Sequence, residues 1–312
     1  MAENWPGIPY QAWRETCSAL HLYTQVVGKY RLARTPWVNH SWHATFYVNA
    51  RGLTTSLVPD GPGIEIVFDF VRHAVIGEAA DGRAAQIPLG PMSVAEFHGR
   101  FGELIARLGG APHFNDRPNE VADPIPFPDD RRTRAYDAGA VMRLFKALVA
   151  IERVFYRFRT GYVGKVSPVH LFWGSFDLAV TRFSGRPAPL HPGGIRALPD
   201  EVTREAYSHE VSSAGFWPGG GGTEFPAFYS YAYPAPKGFA AAQVAPEGAY
   251  FDRQLGEFLL PYEVVRKSSD PEATLMAFLE STYRAAADLG GWDRAALECP
   301  IGEPLRPRPL RG

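Results

Sequence analysis

The segment SPVHLFWGSFDLAVTRFSGR, residues 167–186, places groups capable of acid–base or metal chemistry inside an otherwise apolar run. Among its aromatic and aliphatic residues it carries an imidazole, a carboxylate and a guanidinium, those of His170, Asp177 and Arg182. An imidazole titrates near neutral pH and binds metals, and a buried carboxylate needs a partner. We therefore predict that His170, Asp177 and Arg182 are catalytic residues, with Asp177 orienting a histidine or pairing with Arg182.

Histidines elsewhere in the chain are candidates to complete a metal site with His170. His43 in WVNHSWH and His209 in YSHEV lie in aromatic surroundings, and we predict them as the other two ligands. Such a set suits zinc, iron or manganese. His40 and Glu210 are the alternates, because on a strand each points away from the face of its neighbour His43 or His209. Without a metal, His209 is a further acid–base candidate.

If residues 168–183 form one continuous strand, their side chains alternate between two faces. His170 then shares a face with the apolar side chains, and Ser175, Asp177 and Thr181 form a polar row on the other face. The segment is predicted to be a wall between a core and a pocket. The alternation leaves open which face lines the pocket.

Aromatic residues make up 13% of the chain and cluster near glycines and prolines. Because tyrosine and tryptophan combine a large apolar surface with one polar group, this clustering favours an aromatic-lined pocket. The predicted ligand-binding residues are Trp173, Ser175, Phe216, Trp217 and Tyr231. The glycine run Gly219–Gly222 is predicted to be either a flexible strand connection or a lid over this pocket, whose walls also include Phe228.

Alternating strand patterns and amphipathic helices predict the elements that position these residues. We expect an α+β fold, with an antiparallel sheet in each of two lobes and long helices packed against them. The predicted parts are an N-terminal lobe (1–115), a Pro- and Asp-rich connector (116–135), a C-terminal lobe (136–295) and a disordered tail (296–312), with both lobes in one structural unit. The helix at the start of the chain is expected to end near Gly28.

Composition and motifs exclude several classes of function. The net charge is −1, which gives no electrostatic case for nucleic acid or an anionic membrane. Two cysteines cannot form a disulfide framework, and we see neither a signal peptide nor a membrane span, so we expect a cytoplasmic protein. Nucleotide-binding loops, a serine-hydrolase elbow and an HExxH motif are missing.

Four long strings carry a resemblance to a known family: TPWVNHSWHATFYVNARGLTTS, GKVSPVHLFWGSFDLAVTRFSGRPAP, EAYSHEVSSAGFWPGGG and GEFLLPYEVVR. They resemble an uncharacterised bacterial family known only as a domain of unknown function. The resemblance covers nearly the whole chain, from about Trp5 to Trp292. It implies one continuous architectural unit and no particular chemistry.

Three functions are compatible with these patterns. The leading hypothesis is a cytoplasmic enzyme that acts on a small apolar or aromatic molecule, with a histidine-rich and metal-dependent site in a cleft between the lobes. The alternative is a non-catalytic protein that binds a small ligand and uses its histidines structurally. The third is a structural or interaction protein with no enclosed polar pocket. All three allow a homo-oligomer.

Overall fold

The computed structural model describes residues 5–220 and 223–308. The fold is α+β, as predicted, with two antiparallel sheets and helices packed against them. Within the described residues, every helix is too short or too polar to cross a membrane. Buried side chains from both halves of the chain belong to one hydrophobic cluster.

The first sheet is a five-stranded meander in which each strand pairs with the next along the chain. Tight turns at Arg51-Gly52 and in PDGPG connect its strands, as their turn-forming residues predict. In order, the strands are Tyr47–Val48 (β1), Gly52–Val58 (β2), Ile64–Asp69 (β3), Ala74–Ala79 (β4) and Ala84–Pro88 (β5).

The second sheet has six antiparallel strands in the order β10-β11-β9-β8-β7-β6. Its edge meets the first sheet where Phe46 and Leu171 exchange two backbone hydrogen bonds of 2.9 and 2.8 Å. The two sheets are therefore joined by main-chain pairing. The strands are His170–Phe172 (β6), Asp177–Pro187 (β7), His209–Trp217 (β8), Ala227–Tyr233 (β9), Tyr250–Asp252 (β10) and Glu257–Pro261 (β11).

Three of the four longest helices begin after a residue whose side chain caps the first turn. Ser93, Asp137 and Asp270 each accept a hydrogen bond from a first-turn backbone amide. The α-helices are Tyr10–Arg34 (α1), Val94–Arg107 (α2), Ala138–Thr160 (α3), Asp200–Ala206 (α4), Tyr262–Lys267 (α5), Pro271–Leu289 (α6) and Arg294–Leu297 (α7).

The prediction that helix α1 ends near Gly28 is wrong, because the helix continues to Arg34. Gly28 instead allows a close approach, since a Cβ atom there would lie 2.4 Å from the ring of Trp173. A glycine inside a helix costs about 1 kcal/mol relative to alanine. Here the missing side chain makes room for an indole that packs against the helix.

The connector and the tail have more contacts than their composition predicts. Arg134 in the connector pairs with Met92, and its guanidinium forms an ion pair of 2.8 Å with Asp130. The tail was expected to be disordered, yet two of its residues contact the end of α3: Cys299 donates its backbone N–H to the carbonyl oxygen of Gly161, and Gly302 donates its own to Oγ1 of Thr160. Residues 309–312 lie outside the described chain.

Candidate functional site

The segment that was predicted to be one strand is a hairpin. Strand β6 ends at Phe172, and β7 begins at Asp177 after a turn in which Phe176 has a φ of 57°. The strands pair His170 with Ala179 and Phe172 with Asp177, and paired residues share a face. His170 therefore lies on the same face as Asp177, and the predicted division of the two residues between opposite faces is wrong.

This shared face forms the floor of a large cavity of about 880 Å³. The volume is in the range of small-molecule sites. Side chains from β7, β8 and β9 form the floor, and α1, α4, the connector and the loop before α4 contribute the walls. The lining includes many aromatic residues: Trp37, Trp42, Phe172, Trp173, Phe183, Tyr207, Trp217, Tyr229 and Tyr231.

Asp177 lies at the centre of the polar part of this floor. Its two carboxylate oxygens accept separate hydrogen bonds, one from the hydroxyl of Ser175 and one from the hydroxyl of Tyr229. Burial raises the pKa of Asp177, and the two hydrogen bonds oppose that shift. The carboxyl group is thus held in place by neutral donors and has no cationic partner among the described residues.

Two further carboxyl groups line the same cavity. Burial, and secondarily the charge of Asp177, raises the pKa of Glu257 on β11 to about 8. The same causes raise the pKa of Glu120 to about 7, although Lys29 opposes the shift. The Glu120 side chain is nevertheless exposed to solvent, which screens its charge and reduces the effect of burial. Oε2 of Glu257 is buried and has no hydrogen-bond partner within the described chain.

Lys29 on α1 is the buried cation of the cavity wall. Its Nζ donates a hydrogen bond of 2.6 Å to Oδ1 of Asn119 and lies 5.7 Å from the centre of the Trp173 ring. Burial lowers the pKa of Lys29 to about 8, against the attraction of Glu120. At neutral pH, three carboxyl groups therefore share the cavity with one ammonium group.

Polar residues at every fourth position of α1 hold the two loops beside the cavity. The side chains of His21 and Gln25 lie 2.8 and 3.2 Å from the carbonyl oxygen of Gly174, and Gln25 donates to the carbonyl oxygen of Asn119 at 2.7 Å. Lys29 completes this row. The connector loop and the hairpin turn are therefore fastened to one helix face.

A row of tyrosines extends the floor away from Asp177. The Tyr229 ring packs against Trp217 at 4.4 Å and against Tyr231 at 6.0 Å. The hydroxyl oxygen of Tyr231 lies 2.9 Å from that of Tyr207. Burial raises the pKa of all three tyrosines, so their hydroxyl groups stay protonated and available as donors near neutral pH.

Gly215 on β8 makes space for this row, as Gly28 does for Trp173. A Cβ atom at Gly215 would lie 2.3 Å from the hydroxyl oxygen of Tyr229. The ring of Tyr229 therefore crosses the neighbouring strand and reaches Asp177 only because position 215 has no side chain.

The predicted metal ligands do not converge. Within residues 5–220 and 223–308, no group of three or more His, Cys, Asp or Glu side chains is placed to hold a metal ion. His40 and His43 lie on a 3-10 helix, Asn39–Ala44, and not on a strand. The rings of His40 and His209 are the nearest pair, with 6.0 Å between their centres.

Each of these histidines has its own local partner. Nδ1 of His40 donates to the carbonyl oxygen of Ala206 at 2.8 Å, and its Nε2 accepts from Lys165 at 2.6 Å. Nδ1 of His43 lies 3.2 Å from the backbone nitrogen of Val38. Nδ1 of His209 lies 3.1 Å from the hydroxyl oxygen of Ser208. These contacts indicate structural roles, and only His40 of the four predicted histidines lines the cavity.

His170 is fully buried beside the cavity and does not line it. Its Nδ1 lies 3.2 Å from the hydroxyl oxygen of Thr45, which donates to the carbonyl oxygen of Trp42. Burial, with Arg31 and Arg159 nearby, lowers the pKa of His170 to about 3. The imidazole is therefore neutral at physiological pH.

Arg182 lies on the opposite face of the sheet from Asp177, so the predicted pair is not formed. Its guanidinium packs over the rings of Phe158 and Tyr283, at 3.5 and 4.3 Å, and lies 3.5 Å from Glu280. Alternation along β7 places these residues on different faces. Arg182 is therefore part of the core between the sheet and helices α3 and α6.

The other predicted site residues divide between the cavity and its surroundings. Trp173, Ser175, Trp217 and Tyr231 line the cavity. Phe216 is fully buried on the other face of β8, where it packs against Phe228 and Tyr262. Glu210 forms a surface ion pair of 2.6 Å with Arg186.

The predicted glycine lid falls partly outside the described chain, at residues 221–222. Gly219 and Gly220 pack against the ring of Tyr10. Two other loops lie beside the cavity, one in the connector and one before α4, and an ion pair of 3.4 Å between Asp123 and Arg196 joins them.

The sequence interpretation missed Lys29, Glu120, Tyr207, Tyr229 and Glu257. Two signals were available: the polar residues His21, Gln25 and Lys29 recur at every fourth position of a predicted helix, and FYSYAY alternates. No comparable pattern marks Glu120 or Glu257, because each reaches the cavity from a separate segment.

The model of a family of unknown function, DUF5996, matches residues 5–299, and the chain belongs to this family. The match covers nearly the whole chain and confirms the resemblance stated above. Comparison with curated proteins and with solved structures gave no match.

Proposed function

We propose that this protein binds a small, partly aromatic molecule in the cavity over the second sheet. The observation that carries the proposal is the cavity itself, about 880 Å³ in volume, with aromatic side chains around a few convergent polar groups. This combination is typical of small-molecule sites, in which apolar walls supply affinity and a few polar groups set orientation. Because the histidines bond locally, the proposal needs no metal.

Cavity filling tests this function. Thr181 lies on the cavity side of β7, and Thr181→Phe would place a ring in the space that the ligand occupies. Val149→Phe, at an exposed position of α3, is the matched control. We expect ligand-observed NMR to detect binding of indole and naphthol fragments to the native protein and to the control, and not to Thr181→Phe. Equal binding to all three proteins would contradict the proposal.

A second candidate is an enzyme that acts on the same ligand by acid–base catalysis. It is favoured by the pKa values of Glu257 and Glu120, about 8 and 7, because a general acid or base works best when its pKa is near the working pH. Conversion of a bound compound by the native protein and not by Glu257→Gln, followed by mass spectrometry, is the expected result. Binding without conversion would support the non-catalytic function.

We also propose that the protein is cytoplasmic. Cys17 and Cys299 are both free thiols, as is usual for proteins of reducing compartments. Alkylation of both thiols in cells lysed directly into denaturant, without added reductant, is the expected outcome, because Cys17 is buried in the folded protein.

A further inference from the structure

The charges of the cavity wall are not balanced by the protein. Asp177, Glu120 and Glu257 line one cavity, and Lys29 is the buried cation among them. Even with Lys29 fully protonated and the exposed Arg117 counted as a second cation of the lining, ionisation of all three carboxyl groups leaves an excess of one negative charge. Buried charges normally require a partner of opposite sign.

The other buried aspartates in the described part of the chain, Asp60, Asp69 and Asp130, each have an arginine within 4 Å. Asp130 forms an ion pair of 2.8 Å with Arg134, and Arg182 lies 3.5 Å from Glu280. Asp177 has only hydroxyl donors, and Oε2 of Glu257 has no hydrogen-bond partner within the described residues. Asp177 is therefore the buried aspartate of the described residues that lacks a cationic partner.

The aromatic rings beside these carboxyl groups suit the same kind of ligand. Trp217, Tyr229 and Tyr231 lie side by side along the floor, and the hydroxyl of Tyr229 donates a hydrogen bond to Asp177. The face of an aromatic ring attracts a cation, and a carboxylate neutralises it. Aromatic faces and uncompensated carboxyl groups in one cavity favour an organic ammonium ion over a neutral or anionic molecule.

We propose that the ligand of this cavity is an aromatic or partly apolar amine, whose ammonium group is held by Asp177 and Glu257 with Glu120 nearby. This inference rests on the proposed function, because it names the chemical class of the molecule bound there. In the absence of the amine, Glu257 and part of the Glu120 population retain their protons near neutral pH, which reduces their repulsion by Asp177. An arriving ammonium ion takes the place of those protons.

Binding should therefore release protons and strengthen as the pH rises through about 7 and 8. The groups that act on Glu257 are Asp177 and Asp252, and those that act on Glu120 are Asp177 and Lys29. Lys29 loses its charge over the same range, since its pKa is about 8, and this loss also favours a cationic ligand. Loss of a proton from Glu120, Glu257 or Lys29 as the pH rises therefore strengthens the binding of a cation in each case.

Three indoles that differ only in the charge of the side chain test the proposal: tryptamine, tryptophol and indole-3-propionate. Isothermal titration calorimetry with the full chain at pH about 8 should show tryptamine binding about tenfold or more tighter than tryptophol, and indole-3-propionate weakest. Heats measured in buffers of different ionisation enthalpy should report proton release with tryptamine alone.

Variants assign the effect to the carboxyl groups. Glu257→Gln should weaken tryptamine binding by about tenfold and change tryptophol binding by no more than about twofold. Asp177→Asn should weaken tryptamine binding further, and Glu257→Gln alone decides the question if Asp177→Asn does not fold. Glu78→Gln, at an exposed position of the first sheet, is the matched control and should change neither affinity.

The outcomes separate this inference from the proposed function. If tryptophol or indole-3-propionate binds at least as tightly as tryptamine, the cationic ligand is refuted and the cavity remains a binding site. An equal effect of Glu257→Gln on all three affinities would also refute the cationic ligand and leave the cavity as a binding site. If none of the three indoles binds up to its solubility limit, both the inference and the proposed function fail.

Discussion

Replacing Glu257 by glutamine tests the electrostatics of the cavity without any ligand. The side chain lies at the start of β11, where burial, with Asp177 and Asp252 nearby, raises its pKa from an ordinary value of 4.5 to about 8. Glutamine has nearly the same shape as the protonated carboxyl group and cannot ionise. The substitution therefore removes only the cost of ionising this position.

The sign of the effect follows from the raised pKa. Between pH 4.5 and about 8 the folded protein retains a proton that the unfolded chain has lost, so this group lowers stability progressively as the pH rises. At about 1.4 kcal/mol for each tenfold change in proton affinity, the full effect is about 5 kcal/mol. Because part of the side chain reaches solvent, we expect about 2–5 kcal/mol.

Urea unfolding measured by tryptophan fluorescence and circular dichroism gives the free energy of unfolding at each pH. Glu257→Gln and the native protein should be about equally stable at pH about 4, and the variant should become progressively more stable toward pH about 8. Glu78→Gln should follow the native curve within about 0.5 kcal/mol. A difference between Glu257→Gln and native that does not change with pH would refute the electrostatic account.

Three further substitutions test the placement of side chains. Gly28→Ala should lower the free energy of unfolding by about 1–3 kcal/mol and abolish binding of the indole ligands, because the new methyl group would clash with the Trp173 ring of the cavity wall. Its control, Gly99→Ala, lies in open space on α2 and should raise the free energy of unfolding by up to about 1 kcal/mol. Tyr229→Phe should cost about 1–3 kcal/mol by removing a donor from a buried carboxylate, whereas Tyr156→Phe, at an exposed position, should be neutral. Arg182→Lys should cost about 1–3 kcal/mol through lost ring contacts and leave indole affinity unchanged. Urea unfolding and calorimetric binding measure all of these.

Specific results would contradict each expectation. Retained indole binding in Gly28→Ala would mean that the helix does not determine the position of the cavity wall. Equal stability of Tyr229→Phe and Tyr156→Phe would show that the hydrogen bond from Tyr229 to Asp177 does not stabilise the fold. Loss of indole affinity in a folded Arg182→Lys protein would show that Arg182 contributes to the binding site.

The outcome for segment 167–186 shows what alternation can and cannot predict. The residue types indicated a chemically active wall of a pocket, and Trp173, Ser175 and Asp177 do line the cavity. The predicted face of His170 was wrong because the alternation of faces does not continue through the turn between β6 and β7. The sequence carries no sign of the left-handed residue in this turn, because position 176 is a phenylalanine and not a glycine.

The carboxyl cluster was beyond the reach of sequence patterns for a different reason. Asp177, Glu120 and Glu257 come from a hairpin, a connector and a late strand, and nothing in their local sequence relates one to another. Burial raises the pKa of each of them, and the charge of Asp177 adds to the shift at Glu120 and Glu257. That relation exists only after the sheet has formed.

The sequence by itself determined the α+β class, the caps of three long helices and the aromatic richness of the site, because these depend on residues near one another in the chain. Tertiary structure alone decided that the histidines separate, that Arg182 lies behind the sheet and that three carboxyl groups line the cavity in front of it. The register of β7 against β8, and the room left by Gly28 and Gly215, set those distances. Chemistry at this site therefore depends on contacts between segments that are distant in the chain.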